Sequence, residues 1–341
     1  MVMLVLSLCL NTLAQDQKIK VEKIWDKAPH NAFTDLIRFK NTFYCTFREG
    51  SGHIPGTNGK IRILKSSDGH KWTNVVLLEK TGFDLRDPSL SITPQGKLMV
   101  LMGGSVYENG KLLSKACQVS FYNDSTHKFS DPIPVKYDQD TNSDSNWLWR
   151  VIWHDKVAYG VVYYSQSTTF KISLVTSVNG INYSLVKSFE IDGKPNETSL
   201  RFMPDGKLFI LVRREDQNQY GLLGRSTFPF KEWDWVNTGF KLGGPDLIIT
   251  PEGTLIIGTR TFSKNGTRTG LLSIDSTGKF KLLIEFPSGG DTGYPGMVIY
   301  KNTLFISYYS SHEGKTSIYL AQIPMTKINR LIGDNATSPF K

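Results

Sequence analysis

The sequence has little cysteine, no long apolar run beyond its first residues, no block of Lys or Arg, and no stretch with the hydrophobic period of a long amphipathic helix. Each lack excludes a class of protein. Of the three cysteines in 341 residues, Cys9 lies in the N-terminal apolar run, and Cys45 and Cys117 lie inside other apolar runs. The latter two are expected to be buried free thiols, so a disulfide scaffold is excluded and no metal-ligand spacing exists. No downstream run is long enough to span a membrane. The 40 basic residues against 31 acidic ones give a net charge of +9, but they are scattered, without the footprint of a nucleic-acid binder. That excess points instead to anionic partners. With 39% hydrophobic and 21% charged residues, the chain can bury a large core and disorder is excluded as its default.

The apolar run Met1–Leu10, followed by small residues at Thr12 and Ala14, fits the hydrophobic region and cleavage site of a secretory signal over residues 1–14. No Lys or Arg precedes it, as expected if the true start lies upstream. The mature protein is then exported, to the periplasm or beyond the cell, and keeps the whole +9 charge.

What is present is strand after strand. Short runs of Val, Ile, Leu, Phe, Tyr and Thr alternate with Gly, Asn, Asp and Pro clusters, the pattern of an all-β chain. Six segments repeat a strand, a polar turn and a second strand, beginning at Ala32, Asp87, Leu148, Glu197, Asp246 and Pro295. The turns Thr93–Lys97, Met203–Lys207 and Thr250–Thr254 are nearly one sequence: Pro presets φ and Gly supplies the positive φ. The segments recur about 47 to 63 residues apart, the size of a four-stranded propeller blade. The last segment is followed by only one further strand, Ser317–Gln322, and Lys20–Trp25 is available to complete its sheet. The pattern therefore predicts a single six-bladed β-propeller over residues 19–325, its ring closed by the N-terminal strand, with a tail at 326–341. A β-sandwich would not need six equivalent turns.

A hairpin signature also recurs: Ser66-Ser-Asp68-Gly69-His-Lys-Trp72 returns as Ser177-Val-Asn179-Gly180-Ile-Asn-Tyr183, more loosely from Ser273 through Asp275 to Phe280, and from Ser226 to Trp233. The acid bonds turn amides and the aromatic packs between blades. This hairpin resembles the Asp box of sialidases, one residue shorter.

A propeller gathers the starts of its innermost strands around one central cavity. Those starts carry Asn31 and Asp35, Arg86 and Asp87, Trp147, Trp149 and Arg150, Asn196 and Glu197, Gly244 and Asp246, and Tyr294. Arg48, Arg213 and Arg260 end second strands nearby. In this order, Glu197, Arg213, Arg260 and Tyr294 resemble the sialidase superfamily across residues ~20–325. The resemblance implies a tyrosine nucleophile at Tyr294, activated by Glu197, with Arg213 and Arg260 on a substrate carboxylate and Arg48 beside the acid/base loop. A neutral phenol suits a sugar whose anomeric carbon bears a carboxylate, and Arg offers that carboxylate two parallel hydrogen bonds. The sequence departs from the family twice. No arginine stands near Ala32, where Arg86 or Arg150 could substitute, and the segment Glu49–Gly59 holds no Asp, leaving His53 or Glu49 as proton donor. Asp87 and Trp149 complete the candidate substrate contacts.

The expected activity is that of an exported, monomeric, retaining exo-glycosidase acting on a terminal acidic sugar, sialic acid or a relative, of a glycan. No metal or organic cofactor is implied. Two alternatives stand beside it. Arg86-Asp87-Pro88 resembles the Arg-Asp-Pro motif of five-bladed furanosidases, which would use Asp35, Asp87 and Glu197. A non-catalytic glycan- or protein-binding propeller would instead carry paired, unperturbed charges.

Overall fold

Each blade begins at the centre of the molecule and ends at its rim. The computed structural model describes residues 18–333 apart from 55–57, 139–140, 142–144, 167–168, 217–219, 265 and 275–278, so the expected signal segment, Asp275 and the end of the tail lie outside the described residues. Six sheets, antiparallel but for a two-residue parallel pairing of Lys136–Tyr137 at the edge of the third, form a six-bladed β-propeller. Their innermost strands are His30–Phe39, Asp84–Ile92, Asn146–His154, Pro195–Phe202, Asp246–Ile249 and Thr292–Tyr300. The sixth sheet takes its outer strand from the front of the chain: Lys20–Trp25 pairs antiparallel with Ser317–Pro324, Lys20 opposite Gln322. This pairing removes the free edge that the ring would otherwise leave. Six sheets also exclude the five-bladed alternative.

The repeats in sequence are repeats in geometry. In each of the three Pro-x-Gly turns the first residue donates its amide to the fifth residue's carbonyl, and the Gly amide donates back to the first residue. The Ser66 hairpin and its Ser177 copy are also alike. Asp68 Oδ1 accepts the amides of His70 and Lys71, and Asn179 Oδ1 accepts those of Ile181 and Asn182. The Ser226 copy differs: its hydroxyl bonds the Glu232 carbonyl around a cis Phe228–Pro229 bond.

Six apolar clusters fill the spaces between neighbouring blades. The hairpin aromatics belong to them: Trp72 packs with Phe305 and Leu320 of the sixth blade, and Tyr183 with Met99 and Val119 of the second. Each fully buried Leu, Ile or Phe contributes about 1.5–3 kcal/mol, so the ring is held chiefly by these wedges. Cys45 and Cys117 are buried free thiols within them. The C-terminal residues do more than trail from the ring. Residues Met325–Ile332 form a helix, amphipathic by pattern, that buries Met325 and Ile328 between the fifth and sixth blades. No helix among the described residues is long and apolar enough to cross a membrane.

Candidate active site

The inner strands are not regular where they enter the central cavity. Pairing slips between Ala32 and Asp35, between Arg86 and Ser89, and between Gly293 and Gly296. Inside these three bulges Phe33, Asp87 and Tyr294 adopt φ of 61°, 47° and 51°. Positive φ costs a non-glycine residue about 1–3 kcal/mol and persists where the surroundings dictate it. Its effect here is to aim three side chains at one space. The Phe33 and Tyr294 rings meet at 5.0 Å, and the Arg86 guanidinium lies 5.0 Å from the Phe33 ring.

Tyr294 and Glu197, 97 residues apart in sequence, are in direct contact: the phenol donates to Glu197 Oε1 at 2.7 Å. Arg213 Nη1 lies 2.8 Å from the same oxygen, and the Gly244 amide donates to Oε2 at 2.9 Å. Glu197 is thus held on three sides. Gly244, at φ 55°, is needed for this approach, because a Cβ there would stand 2.4 Å from the Tyr294 ring. Burial, with Glu197 adding to it, raises the Tyr294 pKa well above that of a free phenol. Tyr294 therefore rests as the neutral phenol, hydrogen-bonded to Glu197.

The Arg260 guanidinium lies 5.5 Å from the Tyr294 centroid and donates to the Thr292 carbonyl and to Tyr309 Oη. Arg213 and Arg260 therefore both reach the space around the phenol. Asp87 lies there too. Burial pushes its carboxyl up to about 6, against the pull of Arg86, 3.6 Å away, and its Oδ1 is buried without a hydrogen-bond partner. Such a group is poised to hydrogen-bond a ligand.

Several sequence-based placements need correction. Glu49 is not brought to the phenol: its carboxylate accepts from Trp25 Nε1 and Arg62, because alternation along its strand turns it away from Arg48. The Arg48 guanidinium is not free for a substrate carboxylate. The residue is 1% exposed and bonds Asp84 Oδ1 through Nε and Nη2, and the Gly52 carbonyl through Nη1. Arg48 and Asp84 thereby anchor the segment that carries His53. Arg150 does not stand in for a missing arginine: it is buried and bonds Asp35 and the Pro295 carbonyl. Arg150 and Asp35 line a cavity of about 320 Å³ together with Ser89, Arg201 and Met297. Asp35 is thereby committed to Arg150 and the Leu90 amide, which removes it from a triad with Asp87 and Glu197. Trp149 offers no exposed face for a sugar: it is buried and meets Tyr294 edge-on at 5.5 Å. Trp147 is buried as well, packed on Tyr163.

His53 lies at the mouth. Its Nδ1–H donates to Asp291 Oδ2 at 2.9 Å, and its ring stands edge-on to Phe33 at 5.1 Å. Asp291 also accepts from His30 Nε2 at 3.0 Å and from Tyr309 Oη at 2.8 Å. Burial raises the Asp291 pKa, but these hydrogen bonds outweigh it and hold the group ionised, well below the usual range. Asp291, His30, Phe33, Asp84 and Tyr309 were not among the candidates read from sequence. Asp291, His30 and Asp84 sit at or beside inner-strand starts, so the rule that selected Asn31 and Tyr294 would have reached them.

The fold is that of a sialidase-like six-bladed propeller. Comparison with solved structures carries the same likeness. A protein of unknown function from Dyadobacter fermentans superposes with a TM-score of 0.76 at 18% identity, covering 90% of this chain and 99% of that one. Trypanosoma rangeli sialidase gives 0.71 at 10% identity, covering 93% of this chain, which spans 61% of that enzyme. A mutant of NanB sialidase from Streptococcus pneumoniae gives 0.66 at 9% identity, covering 88% of this chain and 69% of that one. No protein-family model matches the chain, and no curated relative matches it.

Proposed function

We propose that the protein is an exported, monomeric, retaining exo-glycosidase of sialidase type that removes a terminal acidic sugar, sialic acid or a relative, from glycans. The observation that carries this reading is the 2.7 Å hydrogen bond from the Tyr294 phenol to Glu197, with Arg213 and Arg260 flanking the same ring. Arg213 and Arg260 hold the substrate carboxylate. Glu197 takes the phenol proton as Tyr294 Oη attacks the anomeric carbon. The bond to the leaving oxygen breaks as His53 supplies a proton from Nε2, the nitrogen that Asp291 leaves free. Water then attacks the same carbon, giving its proton to His53, and Tyr294 leaves and recovers its proton from Glu197. Two displacements retain the anomeric configuration. The raised pKa of Asp87 favours an active site over a binding surface with paired, unperturbed charges.

The test is release of a fluorophore from a panel of acidic-sugar glycosides, an α-sialoside first, by the purified mature chain, with Tyr294→Phe beside it. Release from at least one, lost in the variant while the fold is kept, supports the reading. Release that persists in Tyr294→Phe, or no release from any member of the panel, overturns it.

A further inference from the structure

The mouth of the cavity holds a constellation that hydrolysis uses only in part. His30 opens the first inner strand, His53 follows the second strand of the same blade, and Asp291 immediately precedes the last inner strand. His30 Nε2 and His53 Nδ1 point at one oxygen, Asp291 Oδ2, from 3.0 and 2.9 Å, and the three atoms lie within 4.8 Å of one another. Ligand atoms around a tetrahedral zinc ion, at about 2.0–2.1 Å from the metal, stand about 3.3 Å apart. A cation held among these three atoms would replace the two protons that now join the imidazoles to the carboxylate, once the rings turn off the lines that aim both nitrogens at Oδ2.

Three further features suit such an ion. The other Asp291 oxygen is held by Tyr309 Oη at 2.8 Å, the outer support a carboxylate ligand needs. His30 is 7% exposed and its Nδ1 is buried without a partner, so its tautomer is set by whatever sits at Nε2. The His53 side chain is 47% exposed, which leaves an approach and an open coordination position on the cavity side. Arg260 Nη2, 3.9 Å from Asp291 Oδ1, opposes a cation and weakens the site without blocking it.

We propose that His30, His53 and Asp291 form a binding site for one divalent first-row transition ion, of which zinc is the natural probe. Two imidazoles and one carboxylate select such an ion over calcium or magnesium, which prefer oxygen ligands. The proposal goes beyond the glycosidase reading and stands apart from it, although an ion on His53 Nδ1 would break the bond that orients this side chain. Where hydrolysis is found, zinc is therefore expected to suppress it.

The experiment is calorimetric titration of zinc chloride into tag-free, EDTA-treated and dialysed full-length protein, with magnesium chloride as control. The expected result is a one-site isotherm for zinc and none for magnesium. Binding should weaken at least about tenfold in His53→Ala and in Asp291→Asn, each checked for folding by thermal melting. His53→Ala removes a half-exposed side chain and keeps the test usable if Asp291→Asn does not fold. No one-site binding of zinc, or binding that survives unchanged in the folded variants, overturns the proposal. Because the readout is binding, its failure is distinguishable from failure of the glycosidase reading.

Discussion

Two aspartates, one at the rim and one at the axis, are pushed in opposite directions by the same fold. Asp68 caps an outer hairpin, where backbone amides of Lys71 and His70 lower its pKa to about 2. Asp87 sits in a bulge at the cavity, where burial raises its pKa to about 6. The rim carboxylate is satisfied by its own turn and serves the hairpin. The axial carboxylate is left with an unpartnered oxygen and a strained backbone, both of which work against stability and suit a ligand site. Local turns that repeat are structural here, whereas the three inner-strand bulges that hold Phe33, Asp87 and Tyr294 at positive φ bring their side chains to the cavity.

The sharpest way to break that contrast is at the axis. Tyr294→Phe is expected to abolish hydrolysis, by about 10³-fold or more, while the melting temperature stays close to the parent's, because only a hydroxyl is removed. If the variant kept its activity, the bulge at Tyr294 would be structural after all.

A buried support comes next. Asp84→Ala leaves the Arg48 guanidinium buried without its carboxylate, and about 3 kcal/mol or more of stability should be lost in denaturant unfolding. The segment carrying His53 should then become more susceptible to proteolysis. A change below about 1 kcal/mol would show that water replaces the carboxylate there.

Two glycines compare axis and rim directly. Gly244→Ala drives a methyl into the Tyr294 ring and should cost more than about 2 kcal/mol as well as activity. Gly96→Ala in a rim turn meets nothing within 4 Å and pays only for its φ of 68°, about 1 kcal/mol, with activity unchanged. Equal effects would refute the distinction.

The smallest effect is a pH dependence of opposite sign. Asp87 titrates near 6 when folded and near 3.8 otherwise, so the folded chain holds the extra proton between pH 4 and 6. Stability should fall as pH rises through that window, and Asp87→Asn should remove this slope. Asp68 titrates lower when folded, so its contribution is present above pH 4 and fades as pH falls towards 2. Asp68→Asn should flatten only the acid limb, since Asn179 accepts the equivalent turn amides in the copied hairpin. Melting curves between pH 2 and 8 distinguish the two.

The rim was legible because its interactions are local. Thr93–Lys97 and Ser66–Trp72 carry in a few consecutive residues all the groups their turns bond, so similar sequences signal similar geometry. Blade order was legible for the same reason, and together with the resemblance to sialidases it singled out Glu197, Arg213 and Tyr294, which the structure brings into contact. Side-chain direction was not. Glu49 and Arg48 are adjacent, yet one faces Arg62 and the other Asp84, a choice set by partners 13 and 36 residues away. Arg150 is matched to Asp35, 115 residues away.

By itself, then, the sequence determined an all-β chain of six repeats closed by its own N-terminal strand, because hydrophobic alternation and turn chemistry are written in neighbouring residues. Only the tertiary structure decided that Phe33, Asp87 and Tyr294 share one space, that Arg48 and Arg150 are structural, and that Asp291 draws His30 and His53 together. Those outcomes depend on bulges and on contacts between blades, where distance along the chain carries no information about distance in space.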